Sequence, residues 1–292
     1  MFYAEVGWLM FQQILVEGIM NGAIIALVAI GIALIWGVMG ILNFAQGEFM
    51  MLGMYIAYFA KLYFDIDPIF MLPVSMIILY FFGVFTYKAF VCRILEGPAV
   101  AQRLLTFALS MVYSNVAMIA FGAEYKTLQN LMISGTFQIG NVTLSWTKVV
   151  PFLVCIVLVV LLQLFLNHTR MGKAIQATSQ DRDAAQLVGV DFNKTYTTAF
   201  GISAAITGAA GCVLTYYFYL YPSVGSIFLL FAFISVAMGG LGSIVGALAG
   251  GILMGIVDVT TGFYVNTAFK YLAVCLLYVL VASLRPKGLF GR

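Results

Sequence analysis

The sequence predicts an all-α integral membrane protein, a polytopic bundle of about eight to nine spans making one domain over residues 1–292. Two observations carry this. The chain is 63% hydrophobic and only 9% charged, against roughly 25% charged in a typical soluble domain; water cannot solvate that much apolar surface, and lipid can. The apolar residues also fall in runs of about 20, the length a helix needs to cross a bilayer, without the ten-residue alternation of a membrane barrel.

Taken in order, the first run covers Ile14–Val38 and the second Asn43–Ala60, after a short break. Met1–Gly7 has no basic leader and carries Glu5, so the first run is expected to stay in the mature protein. Pro68 opens a third run to Val91, where its missing donor costs the first helical turn nothing. Leu104–Phe121 is the fourth. The polar interval 122–148 follows, with Gly135, Gly140 and Asn141 as turn residues between alternating Thr136, Gln138, Val142 and Leu144; this predicts an extracytoplasmic elaboration with hairpin character. Pro151–Leu166 is the fifth span. Tyr196–Tyr217, the sixth, is rich in Gly, Ala and Ser, which let helices approach closely. Ile227–Met238 is too short to cross about 30 Å at about 1.5 Å per residue. It runs through Gly239, Gly240, Leu241, Gly242 and Ser243 into Ile244–Val257, and Thr267–Leu284 closes the series. Counting the short run separately gives nine spans with the amino terminus outside. Reading 227–257 as one broken, Gly-rich element buried by its neighbours gives eight, the preferred reading, because non-helical backbone at membrane depth must be covered by protein or face a cavity.

Between the fifth and sixth spans lies the one long polar interval, 169–193, with Arg170, Lys173, Asp181, Arg182, Asp183 and Asp191. It falls on the same side as Lys88, Arg93 and Arg103 and as Arg285, Lys287 and Arg292 if the spans alternate, which makes that side cytoplasmic. Within it, Ala184, Leu187 and Val188 repeat at helical spacing, Asp181 is a suitable N-cap, and Gly189 can close the helix in the left-handed conformation. Such a stripe either folds back onto its own bundle or docks into a partner's groove; an ordinary solvated loop is the plain alternative.

Two membrane-level features carry possible chemistry. Asn43, Gln46, Gly47 and Glu48 stand at the entrance to the second span. Glu48 is costly in lipid and must find a cavity, a polar partner or the interface, as a pathway residue or as an acid at the positive end of a helix dipole. Gly239, Gly240, Gly242 and Ser243 could unwind a helix at mid-depth and line a route, or serve close packing alone. The net charge of +3 is too small to imply nucleic acid. Cys92, Cys155, Cys212 and Cys275 form no CxxC pair, His168 is the single histidine, and no phosphate loop is present. The residues thus predict no catalytic, cofactor or metal site, and any energy for transport must come from elsewhere.

Four ordered segments resemble a known family: NGAIIALVAIGIALIWGVMGILNFAQGE at Asn21–Glu48, TRMGKAIQATSQDRDAAQLVGV at Thr169–Val190, the stretch Pro222–Gly246 containing GGLGSIVG, and RPKGLFG at Arg285–Gly291. They are similar to the membrane permease subunits of branched-chain amino-acid ABC importers, specifically the H-type subunit. The resemblance implies that two such permeases, this one paired with a sister subunit, form the pathway in a prokaryotic cytoplasmic (inner) membrane. Two cytoplasmic ATPases would drive them, and an external binding protein would deliver the substrate. It assigns ATPase coupling to the segment holding Gly172, Asp181, Ala184, Ala185, Leu187, Val188 and Gly189, and a pathway or gate role to Asn43, Gly47 and Glu48. Three departures make the region more apolar or less titratable: Gln46 stands where relatives have histidine, Leu230 where many have lysine, and Val245 where proline is frequent. Relatives of the family also carry urea or short amides. A self-contained ion-coupled carrier is the alternative class, but it usually needs several mid-membrane ionisable groups, and Glu48, Glu17 and Asp258 are the few on offer.

Overall fold

The structure, a computed structural model, describes residues 2–140, 142–286 and 288–290, with side chains from residue 10 onward. The turn role of Asn141, the charges Lys287 and Arg292, and Gly291 of the terminal motif lie outside the described residues. Eleven α-helices and one hairpin follow in order: α1 Phe2–Met39, α2 Gln46–Phe64, α3 Pro68–Ala89, α4 Ala99–Phe121, β1 Thr136–Ile139, β2 Val142–Ser145, α5 Trp146–His168, α6 Arg170–Gln180, α7 Arg182–Leu187, α8 Phe192–Leu214, α9 Val224–Gly239, α10 Ile244–Tyr264 and α11 Lys270–Leu284.

Among the described residues seven helices are long and apolar enough to cross a membrane: α1, α3, α4, α5, α8, α10 and the stretch Thr267–Leu284 that includes α11. The expected eight to nine spans are therefore reduced to seven by this measure, and the chain is a multi-pass membrane protein. The physical reason is specific. Gln46, Glu48 and Lys61 lower the apolarity of α2, and α9 stops after 16 residues.

Two helices form the centre. In α1 and α8, 83% of the apolar window is buried, whereas α3, α4, α5 and α11 turn most of their apolar surface outward, as lipid-facing helices do. The small residues expected to permit close approach do so. A Cβ at Gly53 would fall on the carbonyl of Gly208, one at Gly211 on the carbonyl of Met50, and one at Gly251 on the Ala26 backbone. Small-residue contacts of this kind replace the hydrophobic driving force that lipid abolishes between helices.

The break expected near residues 227–257 is present, but in another form. Gly239 lies against Gly246 and Gly250 against Ser235, so α9 and α10 run antiparallel as a hairpin of two helices. The reversal sits at the end of the bundle where α1 stops, with Gly242 against Gly37, and not at mid-depth. Gly240 and Gly242 have φ of +107° and +82°, conformations open to glycine at no steric cost. The carboxyl-terminal chain closes over this turn: Leu289 N donates to Met238 O (2.7 Å) and Phe290 N to Gly239 O (3.0 Å).

At the opposite end β1 and β2 pair antiparallel, Thr136 with Ser145 through Ile139 with Val142, around Gly140 at φ +61°. Gln13 of α1 holds β2 from both sides, donating to Thr143 O (2.8 Å) and accepting from Thr143 N (2.9 Å).

Candidate functional site

Two polar constellations stand out. The first is the junction between α1 and α2. Gly40 has φ +68° and turns the chain out of α1, after which Ile41, Asn43 and Ala45 are buried and α2 begins at Gln46 inside the bundle. The contacts give its depth. Gln46 reaches Ser203 and Thr207, halfway along α8; Thr106 and Ser110, in the first half of α4, meet Leu42 and Glu48. The second run is therefore not an ordinary crossing helix from its first residue. Its amino terminus lies level with the middle of its neighbours, which is how a discontinuous membrane helix presents backbone donors at depth.

Asn43, Gln46 and Glu48 each make at least one side-chain hydrogen bond there. Asn43 accepts from Ala45 N (3.1 Å) and donates from Nδ2 to Gln46 Oε1 (3.0 Å). Gln46 Nε2 donates to Ser203 Oγ (2.8 Å) and to Thr207 Oγ1, and Ser203 Oγ donates to Gly31 O (2.7 Å), so one chain of hydrogen bonds ties α1, α2 and α8. Gly31 leaves the room for it, since a Cβ there would meet Gln46, Thr207 and Ser203. Glu48 is buried and accepts from Ser110 Oγ (2.9 Å) through Oε1, while Oε2 has no hydrogen-bond partner among the described residues. Of the three settings foreseen for this acid, a cavity, a polar partner or the interface, the structure supplies the polar partner, Ser110. Gly47 lies back to back with Gly225, which sets the crossing of α2 and α9. Sequence reasoning missed Gly31, Ser110, Ser203 and Thr207. Each is an ordinary small residue, and only its position beside Gln46 or Glu48 gives it a role.

The second constellation is the segment 169–193, two helices and not one loop. Thr169 caps α6, accepting from Gly172 N (2.9 Å), and Gly172, Ile175 and Thr178 face inward; a Cβ at Gly172 would strike the backbone of Phe165 and Leu166. α6 escaped the sequence reading because its buried side holds only one large apolar residue. The α7 expectation is matched in detail. Asp181 accepts from Asp183 N and Ala184 N (both 3.0 Å), and Gly189, at φ +88°, ends the helix with Val190 N bonded to Ala185 O (3.0 Å). The exposed and buried sides are now separate. Ala185 packs onto the bundle at 4% exposure, while Leu187 and Val188 are 90% and 79% exposed and Ala184 also faces outward.

These helices lie at one end with the other basic segments. Arg182 and Phe192 share a cavity with Arg93 of the chain between α3 and α4, and the guanidinium of Arg182 lies 4.5 Å from the Phe192 ring centroid. On the other flank, Ile175, Gln176 and Ser179 of α6 face Gly242 and Ser243 of the α9–α10 turn across a cavity of about 230 Å³ that Gly37 also lines. Gly239, Gly240 and Gly242 build that turn, and Ser243 caps α10 by accepting from Gly246 N (3.0 Å). His168 is exposed at the end of α5, where α6 follows.

The permease protein BraD of the high-affinity branched-chain amino acid transport system of Pseudomonas aeruginosa is 28% identical over 97% of this chain and 96% of its own. The Escherichia coli K12 permease protein LivH is 27% identical over 98% and 97%. A probable branched-chain amino acid transport permease of Methanocaldococcus jannaschii, also named LivH, is 29% identical over 96% and 93%. The match to the family described as branched-chain amino acid transport system, permease component, runs over residues 14–284, and the chain belongs to that family.

Proposed function

We propose that this chain is a pathway-forming subunit of an ATP-driven importer for branched-chain or other hydrophobic amino acids in a prokaryotic inner membrane. It works beside a sister permease, with two cytoplasmic ATPases and an external binding protein. The observation that carries the reading is α7: a helix of six residues, capped at both ends, pinned through Ala185, and presenting Leu187 and Val188 to solvent. Apolar side chains held that far out of the bundle, among Arg170, Lys173, Arg182 and Asp183, suit a groove on a cytoplasmic protein better than lipid.

On this reading the ATPase shifts the permease between conformations by binding α6–α7 with different affinity in its nucleotide states, since only a differential affinity can move such an equilibrium. Gly172 and Ile175 seat α6 on the bundle, and the cavity between α6 and the Gly242–Ser243 turn is the place where a tilt of α6 meets α9 and α10. The Asn43–Gln46–Glu48 junction, with its helix terminus at mid-depth, is the matching candidate for a gate.

Leu187→Asp tests the reading. We expect transport to be lost and ATPase co-purification to fall at least tenfold, with the permease still folded by thermal denaturation in detergent. Transport and co-purification at wild-type levels would remove α7 as the coupling element.

A further inference from the structure

A third cavity, of about 420 Å³, lies at the end of the bundle opposite α7, between α1, the start of α5, α9, α10 and the start of α11. Its volume falls within the roughly 300–1,000 Å³ of small-molecule sites. The register of the helices sorts its lining. Glycine contacts place Gly22 of α1 beside Gly251 and Gly18 beside Ile256, so Asp258 stands one to two turns closer to the mouth than Asn21, and Ile25 lies deeper still. Lys148 opens α5 and Lys270 opens α11, which puts both ammonium groups at the same mouth. Phe231 and Tyr271, stacked at 5.7 Å with planes 1° apart, supply an aromatic wall.

Three features of the polar part point to a ligand. Lys270 Nζ lies 3.2 Å from Asp258 Oδ2, and Lys148 Nζ lies 3.1 Å from Glu17 Oε2. Both pairs are partly exposed, so their charged ends can be reached from the mouth, and a ligand that offers both charges can re-partner them without leaving either one unmatched. Asn21 lines the cavity, and its Oδ1 is buried with no hydrogen-bond donor among the described residues; a buried acceptor left that way is expected to find a donor. The lining therefore offers two cations, an anion, an unmatched acceptor and an apolar floor.

We propose that this cavity is a binding site, within the permease itself, for a zwitterionic amino acid with an apolar side chain. The ligand carboxylate sits between Lys148 and Lys270. Its ammonium donates to Asp258 and Asn21 Oδ1, and its side chain lies against Ile25, Phe231 and Tyr271. A zwitterion can replace both halves of the Asp258–Lys270 pair without changing the net charge of the mouth, whereas an amine or a carboxylate alone leaves one half unmatched. The assignment rests on the importer reading for its substrate class, but not on the coupling role of α7.

The test is binding of radiolabelled leucine to the full chain in lipid nanodiscs, with neither ATPase nor binding protein present. Leucine is expected to saturate and to be displaced at least tenfold less effectively by 3-methylbutylamine, which lacks the carboxylate, and by 4-methylpentanoate, which lacks the ammonium. Asp258→Asn and Lys270→Met should each weaken binding at least tenfold. Because either variant can disturb the fold, Phe231→Ala provides a gain: the preference should move from leucine toward phenylalanine as the floor widens. No saturable binding, equal competition by both half-charged analogues, or an unchanged preference in Phe231→Ala would overturn the site. An assembled complex that imports leucine while the chain alone binds none keeps the importer and loses the site; specific binding by a chain whose transport ignores the ATPase does the reverse.

Discussion

Residues 43–48 and residues 181–189 are both short polar interruptions of an apolar chain, and they aim their groups in opposite directions. At the first, Asn43 and Gln46 turn inward and bond across three helices, and Glu48 meets Ser110 out of reach of solvent. At the second, Asp181 Oδ1 and the backbone around Gly189 cap α7, and the apolar Leu187 and Val188 are left outside. The difference follows from the medium. In a membrane interior a polar group has no water to fall back on, so it must be matched within the protein. Beyond the bilayer, water satisfies polar groups freely, and the costly feature becomes an exposed apolar face, which a partner can remove. An interruption that buries its polar atoms holds the bundle together, and one that exposes its apolar atoms is suited to hold a partner.

That contrast predicts a graded series in fold stability, largest first. Gly53→Val drives a side chain into the Gly208 carbonyl where α2 crosses α8, and overpacking of this kind costs about 1–3 kcal/mol or more. Loss of monodisperse protein on size exclusion is expected; a normal yield and melting temperature would mean that the crossing is softer than drawn. Gln46→Leu removes the donor to Ser203 and Thr207 and the acceptor of Asn43, leaving buried groups unmatched at about 1–3 kcal/mol each. Its melting temperature should fall well below wild type, and Gln46→Glu should not restore it, because a buried carboxylate is costly and a neutral carboxyl has one O–H donor where the amide has two N–H donors for Ser203 and Thr207. Asp181→Ala removes a cap worth about 1 kcal/mol, so it should raise amide exchange over residues 182–187 and leave the bundle intact. Protection unchanged in α7 would show that Ala185 packing alone holds it. Leu187→Asp sits last for stability, within about 0.5 kcal/mol of wild type as surface substitutions are, and first for transport. A series in which transport follows stability would erase the contrast between the two regions.

Much of the fold was legible in the residues, because helices in lipid must be apolar for about 20 positions and end at recognisable signals. Pro68 opens α3, the alternation around Gly140 forms the hairpin, and Asp181 and Gly189 bound α7 where the capping logic puts them. Three things were not legible. α6 has a buried side of Gly172, Ile175 and Thr178, in which Ile175 is the one large apolar residue. Ala185 shared the apolar label of Ala184, Leu187 and Val188, yet one helix face points in and the other out. The Gly239–Ser243 run is an end-of-bundle reversal, which differs from a mid-depth break only in what packs against it, here Gly37 and the carboxyl-terminal chain.

By itself, then, the sequence determined the solvent, the helical class, the order of most elements and the chemistry of the α7 ends, because each of these depends on residues near one another in the chain. Depth and partnership depended on the tertiary structure. That α2 starts level with the middle of α4 and α8, that Gln46 answers to Ser203, and that Lys148, Asp258 and Lys270 meet around one cavity with Asn21 are all relations between residues far apart in sequence. Hydropathy reports how a residue is solvated, and it carries no information on which distant helix provides the solvation.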